Sequence, residues 1–151
     1  MDAFELLKKD HEKVSGIFEK LEATTERGVK TREELFTQLK NELDVHAKIE
    51  EEIFYPAIRD ARDTHEITLE AYEEHKVVKQ LLSELEKLSK DDETWGAKFT
   101  VLKENVEHHV EEEEGEMFKG ARKVLSSEQI EELGARMEAA KKEEKKAMVA
   151  G

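Results

Sequence analysis

The chain contains no cysteine, which excludes disulfides, thiolate metal sites and cysteine nucleophiles and fits a reducing compartment. One proline and seven glycines leave little to interrupt helices. No apolar run approaches the ~18 residues of a membrane span. A helical pattern starts almost at the first residue, so no signal peptide is visible and a cytoplasmic setting is expected. Basic residues are outnumbered, 25 Lys and Arg against 38 Asp and Glu, giving a net charge of −13. Such a surface repels phosphate backbones, so nucleic acid is not an expected partner, and no membrane is expected either. G-x-S-x-G, Walker and dinucleotide-binding glycine patterns are all missing, which leaves hydrolase and nucleotide chemistry without support.

What remains is helix. Charged residues make up 42% of the 151 and hydrophobic residues 37%, a balance suited to amphipathic helices with wide solvated faces. Asp2 with Glu5 reads as a capping box, and the first helix carries Phe4, Leu7, Val14, Phe18 and Leu21 on one seam. Gly28 closes it. Thr31 with Glu34 predicts the start of a second helix, through Leu35, Leu39, Leu43 and Ile53, kinked at Pro56 and ending near Arg62. Asp63 with Glu66 predicts a third, with seam residues Thr68, Ala71, Val78, Leu82 and Leu85. Asp91 or Asp92 caps a fourth, through Phe99, Leu102, Val106 and Met117. Ser126 with Gln129 opens a fifth, through Ile130, Leu133 and Met137, whose lysine-rich end reads as a fraying, solvated tail. The expected fold is all-α: one domain over 1–151, an antiparallel up-and-down four-helix bundle over about 2–123, and a C-terminal helix over about 127–148. That last helix packs outside the bundle or mediates association, so a monomer or weak homo-oligomer is expected.

Histidines stand on these seams where leucines belong. His11 lies between Leu7 and Val14, His46 between Leu43 and Ile53, His75 between Ala71 and Val78, and His109 between Val106 and Met117. Glu50 and Glu113 follow His46 and His109 by four residues, one turn along the same face. Four imidazoles and two carboxylates would therefore enter the interior. An unsatisfied buried polar group costs roughly 1–3 kcal/mol, and a buried charge several. A domain with ~5–15 kcal/mol of net stability cannot carry six such groups unpartnered. Cations are the economical partner, and imidazole with carboxylate suits iron, zinc, manganese or copper. Six ligands are many for one ion. Shared between two, they give each ion two histidines with both glutamates bridging, an oxo or hydroxo bridge and an open position completing each shell.

Other residues compete for these roles. His108 with Glu112 repeats the His109–Glu113 spacing, but the seam passes through 109 and position 108 lies about 100° away. His65 has no seam and reads as a surface residue. Most of Glu111–Glu114 reads as a wet helix face, with Glu112 the fallback for Glu113, and the seam selects Glu50 over Glu51 and Glu52. Phe54, Tyr55, Met117 and Phe118 read as core packing. Tyr72, one turn before His75, is a candidate phenolate neighbour of the metal. Phe18, Ile53 and Phe99 are expected to keep water away.

The segments "DH" at 10–11, "HAKIEEEIFYP" at 46–56, "EEH" at 73–75 and "HHVEEEEGEMF" at 108–118 together resemble the hemerythrin-like, or HHE cation-binding, family. A single H-x-x-x-E is weak; the ordered set H, H-x-x-x-E, H, H-x-x-x-E is specific. The resemblance implies a non-heme di-iron centre held by His11, His46, Glu50, His75, His109 and Glu113, with dioxygen, hydrogen peroxide or nitric oxide as the small-molecule partner. Sensing, iron handling and catalase-like peroxide removal are the implied roles. A structural or sequestering site, zinc for example, is the alternative. Oxygen-carrying hemerythrins have a further histidine where this chain has Lys79. Their last carboxylate is an aspartate five residues after its histidine, where this chain has Glu113 at four. Both departures speak against reversible oxygen transport and towards the bacterial H-HxxxE-H-HxxxE branch and the iron- and oxygen-sensing domain of a ubiquitin-ligase adaptor. The family's second "FP" is also missing, since Lys119 follows Phe118, which would straighten the end of the fourth helix. His75→Ala is expected to empty at least one metal position with the helices intact, and His65→Ala to leave metal content unchanged. Equal losses in metal analysis of the two variants would refute the seam assignment.

Overall fold

The computed structural model describes residues 1–150, and every regular element among them is helical. Helix α1 spans Ala3–Glu22 and α2 spans Val29–Ile49. A π-helical turn, Glu50–Phe54, leads into the short α3, Tyr55–Ile58. Then come α4, His65–Lys87, and α5, Glu93–Glu112. A second π turn, Glu113–Met117, leads into α6, Phe118–Val124, and α7 spans Ser127–Ala150. The α1–α2 and α4–α5 hairpins make the bundle, and α7 lies along α1 and α2. None of the described helices is long and apolar enough to cross a membrane.

The caps explain most of the starts. Asp2 and Glu5 form a reciprocal capping box, Asp92 accepts from the Thr94 amide, and Ser126 with Gln129 exchange the same pair of bonds at the start of α7. Two predicted caps are displaced. The second helix starts at Val29 behind Gly28, not at Thr31, because the Arg32 amide already bonds to the Gly28 carbonyl. The third starts behind Thr64, not Asp63, and the Thr64 hydroxyl turns away to the Ile58 carbonyl.

Pro56 does not act as a simple kink. It lacks the N–H that would bond back four residues, and the ladder widens just before it: the Tyr55 amide bonds to the Glu50 carbonyl, five back. The helix then stops at Ile58 rather than near Arg62. The same widening occurs at Glu113–Met117, where the Phe118 amide bonds to the Glu113 carbonyl, so the missing proline at Lys119 does not straighten that end. Each π turn starts at the second residue of an H-x-x-x-E pair.

Two apolar clusters divide the bundle. One, at the end with the π turns, joins Phe4, Leu7, Ile49, Phe54, Ile58 and Phe118 with Leu133 and Met137 of α7. The other joins Phe18, Leu21, Phe36, Leu39, Leu85, Trp95 and Phe99. The polar interior lies between them. The lysine-rich end of α7 is not a fraying tail: Lys145 pairs with Glu42 at 3.1 Å, Glu144 with Lys48 at 2.8 Å, and Lys141 with the buried Asp10. Gly134 allows the close approach, since a Cβ there would collide with the Met1 carbonyl oxygen.

The far end is closed by a buried cation. The Arg32 guanidinium lies over Trp95 at 4.6 Å and donates to the Lys90 carbonyl at 2.7 Å, the Thr24 hydroxyl at 3.0 Å and the Thr24 carbonyl at 3.3 Å. It thereby ties two loops without an acidic partner. Arg32→Ala is expected to cost about 2–4 kcal/mol in urea denaturation, from lost charged hydrogen bonds and ring contact, with metal content unchanged.

Candidate metal centre

The four inward histidines form two pairs. The His11 and His46 rings lie 4.9 Å apart, as do His75 and His109. Glu50 and Glu113 stand between the pairs. Glu50 Oε1 is 3.2 Å from Nε2 of His46 and 3.2 Å from Nε2 of His75. Glu113 reaches His11 Nε2 with one oxygen at 3.1 Å and His109 Nε2 with the other at 3.2 Å. Donor atoms of His11, His46, Glu50 and Glu113 converge within 4.8 Å, and so do those of Glu50, His75 and His109, so Glu50 belongs to both groups. All six residues are buried.

Four residues not anticipated from the sequence complete the arrangement. Each imidazole turns Nδ1 outward to a carboxylate: His11 to Glu114 at 2.6 Å, His46 to Asp10 at 3.0 Å, His75 to Glu51 at 3.1 Å and His109 to Glu74 at 2.7 Å. A carboxylate only accepts, so Nδ1 donates and the Nε2 lone pair of the neutral ring faces inward, the tautomer a metal ligand needs. Every one of these carboxylates is the chain neighbour of an inner donor: Asp10 of His11, Glu51 of Glu50, Glu74 of His75, Glu114 of Glu113. Each holds a histidine on another helix, and the pairings run α1 to α2, the first π turn to α4, α4 to α5, and the second π turn back to α1. The ring is closed.

Tyr55 also belongs here, not only to the core. Its hydroxyl donates to Glu113 at 2.7 Å and lies 3.3 Å from Nε2 of both His75 and His109. Tyr72 instead directs its hydroxyl to the Glu51 carbonyl at 3.4 Å, with its ring edge-on to Tyr55. His65 donates to the Arg59 carbonyl at the surface, and His108 pairs with Glu112 at 2.8 Å, two-thirds exposed. A cavity of about 40 Å³ opens beside all four inward histidines. Val14, Leu43, Val78, Leu82, Val106 and Val110 give it apolar walls; Phe18, Ile53 and Phe99, expected to do this, pack in the clusters instead.

The charge of the site asks for cations. Glu50, Glu113 and the four outer carboxylates surround imidazoles that are neutral in their ordinary state. Burial pushes His109 down, but hydrogen bonds to Glu113, Glu50 and Glu74 outweigh it and hold the imidazole up to about 12. His46 and His75 rise for the same reason, burial being overcome by Glu50 with Asp10 and Glu113, and by Glu50 with Glu51. Burial and the Glu113 charge push Glu50 up, yet the histidines bring it to about 2. Burial pushes Asp10 up, and His46 and Lys141 bring it to about 2. Burial and the two glutamates drive Tyr55 well above its ordinary value, so it stays a hydroxyl donor.

The donor set fits a metal on a further ground. Nε2 of His11 and of His46, both oxygens of Glu50 and Oε1 of Glu113 are buried without a hydrogen-bond partner. These orphaned atoms face one another, and among the described residues only Trp95 Nε1 shares their condition elsewhere.

A family model described as the Hemerythrin HHE cation binding domain matches residues 2–121. A crystal structure of a hemerythrin HHE cation binding domain-containing protein from Mycobacterium kansasii superposes with a TM-score of 0.87 at 28% identity, over 99% of this chain and 91% of that one. A Mycobacterium tuberculosis protein described as uncharacterized is 32% identical over 143 residues, 92% of this chain and 84% of its own length. A protein of Nostoc sp. named DNA nickase is 31% identical over 141 residues, 93% of this chain but 39% of its own length.

Metal and protons compete for the same Nε2 atoms, which fixes a sign. Because His46, His75 and His109 are raised in the metal-free site, they still hold protons where a free imidazole, with an ordinary value of about 6.5, has lost them. Adding metal at about pH 8 is expected to release protons, and apparent affinity to increase as pH rises. Calorimetry in buffers of differing ionisation enthalpy reads this directly; no release at that pH would contradict the assigned charge state.

Proposed function

Because the chain belongs to the Hemerythrin HHE cation binding domain family, we propose that its polar cage holds two iron ions and that the protein binds or reacts with a small oxygen species, dioxygen, hydrogen peroxide or nitric oxide. One observation carries the reading: two histidine pairs flank two glutamates, and both oxygens of Glu50 and Oε1 of Glu113 are buried there without a hydrogen-bond partner. His11 and His46 would hold one ion, His75 and His109 the other, with Glu50 and Glu113 common to both. A lone zinc ion favours four tetrahedral ligands and would leave two of these six donors idle. Six carboxylates against neutral imidazoles also call for more positive charge than one divalent ion supplies. Bound iron would supply electrons to an oxygen species at neutral pH.

The chain's own residues define what such a ligand meets. The cavity of about 40 Å³ has room for a diatomic or peroxide, given that one water needs about 10–15 Å³ by the same kind of measure. Its valine and leucine walls disfavour bulk water and larger solutes. Tyr55 offers a hydroxyl hydrogen at the His75–His109 side, held there by Glu113, and its resistance to ionisation keeps it a donor rather than a phenolate ligand. The Nostoc relative's nicking activity is not carried over, since this chain spans 39% of that protein and its charge of −13 opposes a nucleic-acid backbone.

Metal analysis after native purification without chelator tests the proposal. The expected result is about two irons per chain with ferric near-ultraviolet bands. About one zinc and no iron would overturn it. Hydrogen peroxide added to the loaded protein then separates the roles: rapid dioxygen release supports peroxide removal, and reversible spectral change without release supports sensing or binding.

A further inference from the structure

The four outer carboxylates are not equivalent. The side chains of Glu51, Glu74 and Glu114 are 27%, 28% and 34% exposed, so water satisfies the oxygens their histidines leave free. Asp10 is 5% exposed. Its Oδ2 accepts from His46, and its Oδ1 is reached by Lys141 from α7, more than 130 residues away in sequence. Lys79 also stands near a ring carboxylate, Glu51, at 3.5 Å, but it faces the oxygen already turned to His75 and is more than half exposed. Only Asp10 depends on a protein cation for its second oxygen.

We propose that Lys141 is a positioning residue for the metal centre, through which the docked C-terminal helix controls the His11–His46 position and leaves the His75–His109 position alone. The physical reason is local. A carboxylate gripped at both oxygens has a fixed torsion and fixes the ring it accepts from. Remove the ammonium, and Oδ1 is a buried acceptor with no donor; the carboxylate turns towards water and the His46 ring loses its stop. The anchor points of α7 give the coupling its lever. Leu133 and Met137 bury one end, Gly134 brings that end against the chain's first residues, and the Lys145–Glu42 and Glu144–Lys48 pairs hold the other. Lys141 sits between these anchors, so its reach to Asp10 exists only while α7 is docked.

The inference rests on the two-ion reading, and the test separates them. Cobalt(II) is titrated into the metal-free full chain and followed by its visible bands, whose shape reports ligand geometry. The wild-type chain should bind two ions. In Lys141→Met, which keeps the aliphatic stem, one of the two should bind about 3–10-fold more weakly with altered bands, and the other should be unchanged, the effect lying at or below the 10–100-fold typical for lost partners of metal ligands. Lys141→Arg should restore the wild-type spectrum. Lys146→Met removes an exposed α7 lysine whose one ion pair is to Glu143 of the same helix, and should change neither site. Placed in a His75→Ala background, Lys141→Met should weaken the remaining ion; in a His46→Ala background it should have no effect. If the wild type binds fewer than two cobalt ions, the two-ion reading fails. If it binds two and Lys141→Met alters neither, or both equally, the proposal for Lys141 alone is overturned.

Discussion

The hydrogen bond from each imidazole Nδ1 to a carboxylate on a neighbouring helix governs this molecule. It sets the tautomer, turns the second nitrogen inward and links four helix segments in one circuit. Bonds of this kind to a charged acceptor contribute roughly 1.5–3 kcal/mol each, enough to orient long side chains but not to offset the burial of Glu50 and Glu113. That deficit is why positive charge must enter the interior, as protons on the rings or as metal.

The rest of the architecture keeps this polar layer dry and in register. One apolar cluster closes it at the π-turn end and another beyond the valine-lined cavity. The π turns contribute in a specific way. At about 100° per residue, Tyr55 would face roughly 140° away from Glu50 on an unbroken helix. One extra residue in the turn rotates it back by about one position, which brings its hydroxyl beside Glu113 and two histidines. The widened turn thus places a hydrogen donor among groups that otherwise only accept or coordinate.

The fold class and the six inward donors were legible because helical periodicity places histidines on apolar seams, and burial then makes them conspicuous. The outer carboxylates were not. Asp10, Glu51, Glu74 and Glu114 sit one residue off the seam, at about 100°, where a charged residue normally faces water. Their partners lie on other helices, and no spacing along one helix encodes a contact between two. Adjacency to an inner donor was the available signal, and it is blurred here because runs such as Glu50–Glu52 and Glu111–Glu114 contain several candidates. Tyr55 reads as core packing from its sequence, and no spacing along the chain reveals the π turn that brings its hydroxyl to the site. The end of α7 read as solvated from its lysines, whereas Lys141 and Lys145 are spent on acids of α1 and α2.

The closed ring has a further consequence in its symmetry. Asp10 acting on His46 corresponds to Glu74 acting on His109, and Glu51 acting on His75 corresponds to Glu114 acting on His11. One helical hairpin therefore contains half of every kind of contact, satisfies one of its own imidazoles and leaves the other waiting for an acid it cannot supply. Two such hairpins face to face exchange that missing acid reciprocally, as the halves of an isologous dimer would. The covalent chain makes the exchange permanent and frees the two halves to diverge, which is what allows a seventh helix to grip one aspartate and ignore its counterpart.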